Sequence, residues 1–352
     1  MLNGHGDDIM EYGDIRLNFS SNVYTRFDHT GLFRHLSQSL PHISNYPEVN
    51  ASSLACRIAE YNGVGHDEVI VTNGATEAIY LIAQAFRQSC SSILQPTFSE
   101  YADACRMAEH EVVDIKALAD FRYEQGKTNL LWVCNPNNPT GRYIDQKEIN
   151  AIMRENPQLV CVIDASYAPF VDTAKVGGDV EFLDRTICLH SMTKEYAIPG
   201  LRLGYAISCR ALISRMAEWR MPWSVNQLAI EAGFYLLDHA DEYKIDVESL
   251  LNESKRVTSV LSSECDIYVE LSDTHILLCR LHEHTASELK DFLARKHGIL
   301  IRDASNFVGL TPHHFRIAVQ DREQNDVLLN AIKEWIFFRF ISLRSFGWKP
   351  IS

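Results

Sequence analysis

NLLWVCNPNNPTG, residues 129–141, joins the apolar run LLWVC to NPNNPTG, a segment of three asparagines, two prolines and one glycine. A strand without polar alternation is covered on both faces, the habit of parallel sheets flanked by helices. LVCVID, 159–164, repeats the pattern. Working outward, candidate strands lie at 68–72 (EVIVT), 91–95, 111–115, 129–134, 159–164, 185–190 and 203–208. Candidate helices lie between or beside them at 51–61, 75–88, 98–109, 145–155 and 210–219. Strands alternating with helices predict an α/β class with a doubly wound, mostly parallel sheet. After about 220 the pattern changes. A long helical region runs to about 262, followed by strands near 267–270, 276–281, 299–302 and 315–319, a helix at 285–297 and a last helix from 321. This predicts a smaller α+β domain. The division expected is 1–45 as an N-terminal arm belonging to the small domain, 46–240 as the large domain and 241–352 as the small C-terminal domain.

The composition narrows the function classes. The chain has 352 residues, enough for about two domains. Its 46% hydrophobic and 22% charged residues exclude a largely disordered chain. No apolar run reaches the roughly 18–20 residues that span a bilayer. The start, MLNGHGDDIMEYGD, lacks a basic region followed by an apolar one, so a cytoplasmic protein is expected. The net charge is −13 and no Lys/Arg cluster is visible, which argues against nucleic acid and requires any anionic ligand to be held by a few local cations. Nine cysteines run from Cys56 to Cys279 with no C-x-x-C pair, the usage of buried thiols in a reducing compartment, and no metal is expected. The aromatic tail FFRFISLRSFGWKPIS (337–352) reads as a helix end packing on the small domain rather than as a membrane anchor.

Three segments carry residue types unusual in pure scaffold. In CNPNNPTG (134–141) the polar density follows a strand end, where open α/β sheets place ligands, and Asn138 can donate its amide to a ligand oxygen. One Asn or Gly would suffice for a turn. In VIDASYAPF (162–170), Asp164 closes an apolar strand, an expensive place for a carboxylate unless it meets a cation or donors, and Tyr167 follows three residues on. In LHSMTKEYAIPGLRLGYAIS (189–208), Lys194 sits just beyond a strand with Ser191 before it and Arg202 after it. Burial and nearby cations favour the loss of a lysine proton, as imine formation requires. A weaker element is TNGATEAIY (72–80), a turn leading into a helix whose N–H groups can hold a phosphate.

An aldehyde-trapping lysine, a phosphate clamp, a buried Asp and an Asn at neighbouring strand ends describe a pyridoxal-phosphate site. With these motifs in this order, nearly the whole chain resembles the fold-type-I pyridoxal-phosphate enzymes of the aminotransferase class (class I/II). The resemblance implies that Lys194 holds the cofactor aldehyde and later moves the proton, and that Asp164 keeps the pyridine nitrogen protonated. It implies that Asn138 and Tyr167 bond the ring hydroxyl oxygen, and that Tyr101 stacks on the ring. Gly74, Ala75, Thr76, Ser191 and Arg202 would hold the cofactor phosphate. Tyr46, in SNYPE, would reach the cofactor phosphate of a neighbouring subunit, which implies a homodimer with shared sites.

Within the class, the HG start, FSSN around Asn22, RMPWSVN at 220–226 and the run from ILIR to FRIAV resemble the threonine-phosphate decarboxylase family, cobalamin-pathway relatives of the histidinol-phosphate aminotransferases. In that family the residues matching His5, Gly6, Asn22, Asn138, Arg302 and Arg316 contact a phosphorylated amino acid. Two departures are visible. Asn22 is followed by VYTRF without the usual Pro-containing turn, and Ala75 stands where an acid is found. The resemblance implies decarboxylation of O-phosphothreonine to aminopropanol phosphate, with amino transfer from histidinol phosphate to 2-oxoglutarate as the alternative.

Overall fold

The computed structural model describes residues 8–176 and 180–345, with side chains as far as Phe338. His5 and Gly6 therefore lie outside the described residues, as do residues 346–352 of the aromatic tail. Two compact units form, one from Val23–Asn138 and Arg142–Val247, the other from Met1–Asn22, Pro139–Gly141 and Glu248–Ser352.

Numbered along the chain, β1 (Leu17–Asn18) belongs to the smaller unit. The larger unit holds β2 (Val69–Thr72), β3 (Cys90–Leu94), β4 (Glu111–Ile115), β5 (Asn129–Cys134), β6 (Val160–Asp164), β7 (Thr186–Ser191) and β8 (Gly204–Ile207). These make one sheet in the order β2-β8-β7-β6-β5-β3-β4. From β7 to β4 every pairing is parallel, so the α/β expectation holds. Only β8 runs against both neighbours. The segment joining β7 to β8 carries just a one-turn helix, Met192–Glu195, and a short 3-10 turn, Pro199–Leu201. A parallel return normally needs a full crossover helix, so this chain doubles back.

All residues of β5 and β6 are buried. Their alternate residues Leu131, Val133, Cys161 and Ile163 pack with Ile149 and Met153 of helix Gln146–Glu155. That helix starts where it does because Asp145 accepts from the Lys147 N–H at 2.9 Å. A separate core joins Leu54 and Ile58 of helix Ser52–Asn62 to Val71, Leu203 and Leu236. Burying each such side chain stabilises the fold by about 1.5–3 kcal/mol. Helix Thr30–Ser39 packs in this unit against helix Gln227–Asp238.

The smaller unit holds β9 (Tyr268–Val269), β10 (Ile276–Arg280), β11 (Ile299–Leu300), β12 (Arg302–Asp303) and β13 (His314–Ala318). An antiparallel sheet runs β12-β13-β10-β9, and β1 pairs in parallel with β11. Phe19, Leu261, Leu277, Leu293, Phe315, Ile317 and Trp335 fill its core. Helix Ala286–His297 is fixed at one end by the reciprocal Thr285–Glu288 cap and at the other by Gly298 at φ +63°. The last helix spans Arg322–Ser345. Among the described residues no helix is long and apolar enough to cross a membrane, and no three His, Cys, Asp or Glu side chains group to hold a metal.

Candidate active site

Sheet register gathers one cluster in the larger unit. Gly204 is the partner of Thr72 on β2 and of Ser191 on β7, so the ends of three strands meet around it. From Thr72 the chain turns at Asn73 into helix Gly74–Ala85, whose first residues are Gly74, Ala75 and Thr76. Gly74 has φ +76°, and a Cβ there would lie 2.5 Å from Arg202 Nη2. Glycine is what lets the Arg202 guanidinium lie across the helix start. Gly204 allows the other close approach, since a Cβ on it would meet the Ala75 backbone nitrogen at 2.5 Å. Ser191 shares a hydrogen bond of 2.7 Å with Thr193, and both are buried. A helix N-terminus, a guanidinium and two hydroxyls in one place are a donor set that fits a phosphate monoester.

Asp164 ends β6, buried, beside Cys134 on β5 and Leu189 on β7. Its Oδ1 accepts the Ser166 backbone N–H at 2.9 Å and its Oδ2 accepts the Tyr101 hydroxyl at 2.6 Å. Burial, then the Asp164 charge, hold the Tyr101 phenol far above its usual pKa. Burial and the same carboxylate push the Cys134 thiol up to about 12, so it is inert as a nucleophile. The Tyr101 ring stacks on Trp132, with centroids 5.7 Å apart. Tyr167, buried, precedes the short turn Ala168–Phe170. Lys194 is half-buried on the helix Met192–Glu195, and its carbonyl accepts the Tyr24 N–H at 3.0 Å.

The asparagine-rich loop divides into two kinds of residue. The Asn135 side chain bonds both backbone groups of Ile144, as acceptor at 2.8 Å and donor at 2.9 Å. Asn137 accepts from the Thr97 hydroxyl and donates to the Pro96 carbonyl. The density read as excess for a turn is thus used to tie the loop down around buried Asn138. Tyr46 is 85% exposed and lies against Trp223 at 5.3 Å between ring centroids.

A crevice of about 50 Å³, which the sequence did not announce, backs onto Ser166 and Ser191 and is lined by Tyr61, His190, Glu195 and Tyr205. Burial raises the Glu195 carboxyl to about 7 and lowers the His190 imidazole to about 4.

The smaller unit carries a second cluster. Arg302 on β12 is the cross-strand partner of Arg316 on β13, and both are buried. Like charges set directly opposite repel, so the pairing is tolerated only where neighbouring acceptors or counter-charges offset it. Arg316 Nη2 donates to the Ser20 carbonyl at 2.5 Å, and Arg302 Nη2 donates to Asn306 Oδ1 at 2.8 Å. Burial lowers the Arg302 pKa. Asn22 is buried in the same unit. Sequence reasoning noted Thr193 beside Ser191 but gave no site role to it, to Ser166 or to Gly204. The first two had a local signal, a hydroxyl two residues after Ser191 and another two residues after Asp164. Gly204 had none before the strand pairing was known.

Residues 14–332 match the family model for aminotransferase class I and II. The crystal structure of L-threonine-O-3-phosphate decarboxylase from Porphyromonas gingivalis is 35% identical, superposes with a TM-score of 0.84, and the match covers 92% of this chain and 100% of that one. The threonine-phosphate decarboxylase of Salmonella typhimurium is 29% identical over 94% of this chain and 95% of its own length. A histidinol-phosphate aminotransferase of Caldanaerobacter subterraneus is also 29% identical, over 83% of this chain and 85% of its own. The chain belongs to the aminotransferase class I and II family, with the fold of the type-I pyridoxal-phosphate enzymes.

Proposed function

We propose that this enzyme uses pyridoxal phosphate to release carbon dioxide from a small phosphorylated amino acid, O-phosphothreonine being the first candidate. The observation that carries the substrate reading is the buried Arg302–Arg316 pair, two planar forks on adjacent strands suited to one phosphate. Asn22, His5 and Gly6 belong to the same proposed grip. With the phosphate held by arginines, the substrate carboxylate is left free of a strong clamp and able to depart. The similarity to threonine-phosphate decarboxylases supports this order of preference.

When bound, the cofactor supplies an electron-poor ring that accepts the electron pair of the bond broken at the substrate α-carbon. The residues of this chain do the rest. Lys194 Nζ binds the cofactor aldehyde and, once released, carries a proton to the α-carbon. The Asp164 carboxylate holds the positive charge on the ring nitrogen. Asn138 and Tyr167 bond the ring hydroxyl oxygen, and Tyr101 lies by the ring. Gly74, Ala75, Thr76, Ser191 and Arg202 hold the cofactor phosphate. Tyr46, exposed on its own chain, reaches the neighbouring subunit's phosphate in a homodimer. We place the enzyme in the cytoplasm, since all nine cysteines are free.

The test is product analysis. Incubation with O-phosphothreonine alone should release carbon dioxide and a phosphorylated amino alcohol, and borohydride should fix the cofactor to Lys194. Glutamate appearing from histidinol phosphate and 2-oxoglutarate, without carbon dioxide from O-phosphothreonine, would assign the enzyme to amino transfer instead. The same arginine pair would serve that substrate, which has a phosphate and no carboxylate.

A further inference from the structure

Behind Asp164 lies a set of buried polar groups that the proposed mechanism does not use. Ser91 on β3, Cys105 on helix Glu100–Met107, His110 just after that helix and Trp132 on β5 are all buried. Their hydrogen bonds run in one direction. His110 Nε2 lies 2.8 Å from the Ala83 carbonyl, which can only accept, so the ring proton is on Nε2. Burial lowers the His110 pKa, so the imidazole is neutral and its Nδ1 is a bare acceptor. Ser91 Oγ, 2.8 Å away, must therefore donate to it. Both lone pairs of that oxygen are then taken, by Trp132 Nε1–H at 3.1 Å and by the Cys105 thiol at 3.4 Å. Burial pushes that thiol up to about 12, so it stays a donor. The Trp132 ring stacks on that of Tyr101, 5.7 Å between centres and 27° between planes, and Tyr101 donates to Asp164. Ala83 belongs to helix Gly74–Ala85, whose first turn belongs to the phosphate cradle. One line of contacts thus joins the cradle helix to the carboxylate that ends β6.

We propose that Trp132 is a positioning residue for Asp164: oriented by Ser91 and His110, its indole keeps the Tyr101 ring where the phenol donates to the carboxylate. The inference rests on the reading of Asp164 as the partner of the cofactor ring nitrogen. An indole has a single donor, and in a dry core it turns so as to satisfy it. Ser91 supplies the acceptor, and a hydroxyl whose own proton is engaged by His110 is not free to rotate. Tyr101 has two soft torsions, and its 2.6 Å bond tolerates little displacement. A fixed aromatic face sets the tilt and offset of that ring. The consequence for chemistry is electrostatic. A hydrogen bond given to a carboxylate favours its charged form, so Asp164 leaves the shared proton on the ring nitrogen. When the phenol shifts away, Asp164 competes for that proton, and the ring becomes less positive and a poorer acceptor of electrons.

Three measurements on the holoenzyme test this: the low-field proton NMR signal of the Tyr101–Asp164 hydrogen bond, the pH at which the bound cofactor's visible absorbance changes, and the split between kcat and KM. Tyr101→Phe assigns the NMR signal by removing it. Ser91→Ala should shift or broaden that signal. It should move the absorbance change to higher pH, because a less positive ring gives up the proton of its lysine imine less readily. It should lower kcat about tenfold, the scale of one weakened charged hydrogen bond, with KM little changed. Ser91→Thr keeps the hydroxyl and should restore all three. In a Tyr101→Phe background, Ser91→Ala should add nothing to the absorbance shift, since both act through one bond; a merely structural serine would add its own effect. Trp132→Phe keeps an aromatic ring without the N–H and should reproduce the Ser91→Ala signal and shift, which decides the matter where Ser91→Ala fails to fold. Asp164→Asn is the reference. If it moves the absorbance change while Ser91→Ala and Trp132→Phe do not, or if the Ser91→Ala and Tyr101→Phe shifts simply add, the role given to Trp132 is wrong and the reading of Asp164 survives. If Asp164→Asn moves nothing, that reading fails and this inference with it.

Discussion

The Tyr101 hydroxyl donates to Asp164 Oδ2 at 2.6 Å, with both side chains buried at the end of β6. The Ser166 N–H takes the other carboxylate oxygen at 2.9 Å. Two donors make a buried carboxylate tolerable where an unpaired one would be costly. Each oxygen still has a second acceptor site, so Asp164 can receive a cationic N–H without giving up either bond.

Asp164→Ala should lower turnover by about a hundredfold or more, the scale of losing one electrostatic group aimed at developing charge. Some cofactor should remain bound through the phosphate cradle. Tyr101→Phe keeps the ring on Trp132 and removes one charged hydrogen bond, so urea unfolding should show a loss of about 1.5–3 kcal/mol. An unchanged rate in Asp164→Ala would reduce this residue to a strand-end cap.

Gly74→Ala tests the cradle. The left-handed backbone alone costs a non-glycine residue about 1–2 kcal/mol. Here the added methyl would also drive the Arg202 guanidinium away. Cofactor affinity, followed by dialysis and absorbance, should fall about tenfold or more. Gly126→Ala is the control. That glycine has φ +80° with nothing within 4 Å of a Cβ, so the change brings strain without collision and should leave cofactor binding alone.

The parallel sheet was legible in the sequence because β5 after Asn129 and β6 before Asp164 are apolar without alternation, the pattern that burial on both faces leaves. The Lys194, Asp164 and Asn138 segments were legible because polar residues cluster at strand ends. The reversal of β8 was not, since an apolar strand reads the same in either direction. The anchoring roles of Asn135 and Asn137 were hidden because their partners Thr97, Pro96 and Ile144 come from elsewhere in the chain. The Asp8–Lys290 pair joins residues 282 positions apart, and no local pattern encodes it.

Glu195 and His190 should give the fold opposing pH slopes. Burial raises Glu195 from 4.5 to about 7, so the native state holds an extra proton between those values and loses stability as pH climbs through that window. Burial lowers His190 from 6.5 to about 4, so the native state gains stability as pH climbs from about 4 to 6.5. In wild type the two offset each other over much of this range. Glu195→Gln leaves only the histidine slope. Its melting temperature should rise with pH up to about 6.5 and exceed wild type above pH 7. Parallel profiles for the two proteins would mean that Glu195 is ionised in the native crevice at low pH.

A homodimer with shared sites should show complementation. Tyr46, Met221 and Trp223 are large side chains 85%, 72% and 47% exposed, the last in tilted ring contact with the first, and an uncovered set of this kind suits an interface. Lys194→Ala and Tyr46→Ala chains, each inactive or weak alone, should regain activity on mixing, since one hybrid site carries both native residues. A fully active monomer in the ultracentrifuge would refute the arrangement.

The arginine pair decides between a phosphorylated substrate and a plain amino acid. Arg302 is the cleaner probe of the two. Arg316 also bonds the Ser20 carbonyl, so its loss would unsettle the β1 segment as well as any ligand. Arg302 Nη2 donates to Asn306 Oδ1 four residues on, and the loss of that contact stays local. With a net charge of −13 the chain repels a dianion at long range, so affinity must come from such local contacts. One charged hydrogen bond is worth about 1.5–3 kcal/mol, roughly ten- to more than a hundredfold in binding. Arg302→Ala should therefore raise KM for O-phosphothreonine at least tenfold while kcat at saturation falls less. Binding of threonine, already weak, should barely change. Added salt should weaken the wild-type enzyme only modestly, because buried charges are screened far less than exposed ones. If threonine and its phosphate are handled alike by wild type, or Arg302→Ala weakens both equally, the pair grips a carboxylate. The enzyme would then be a general amino-acid aminotransferase.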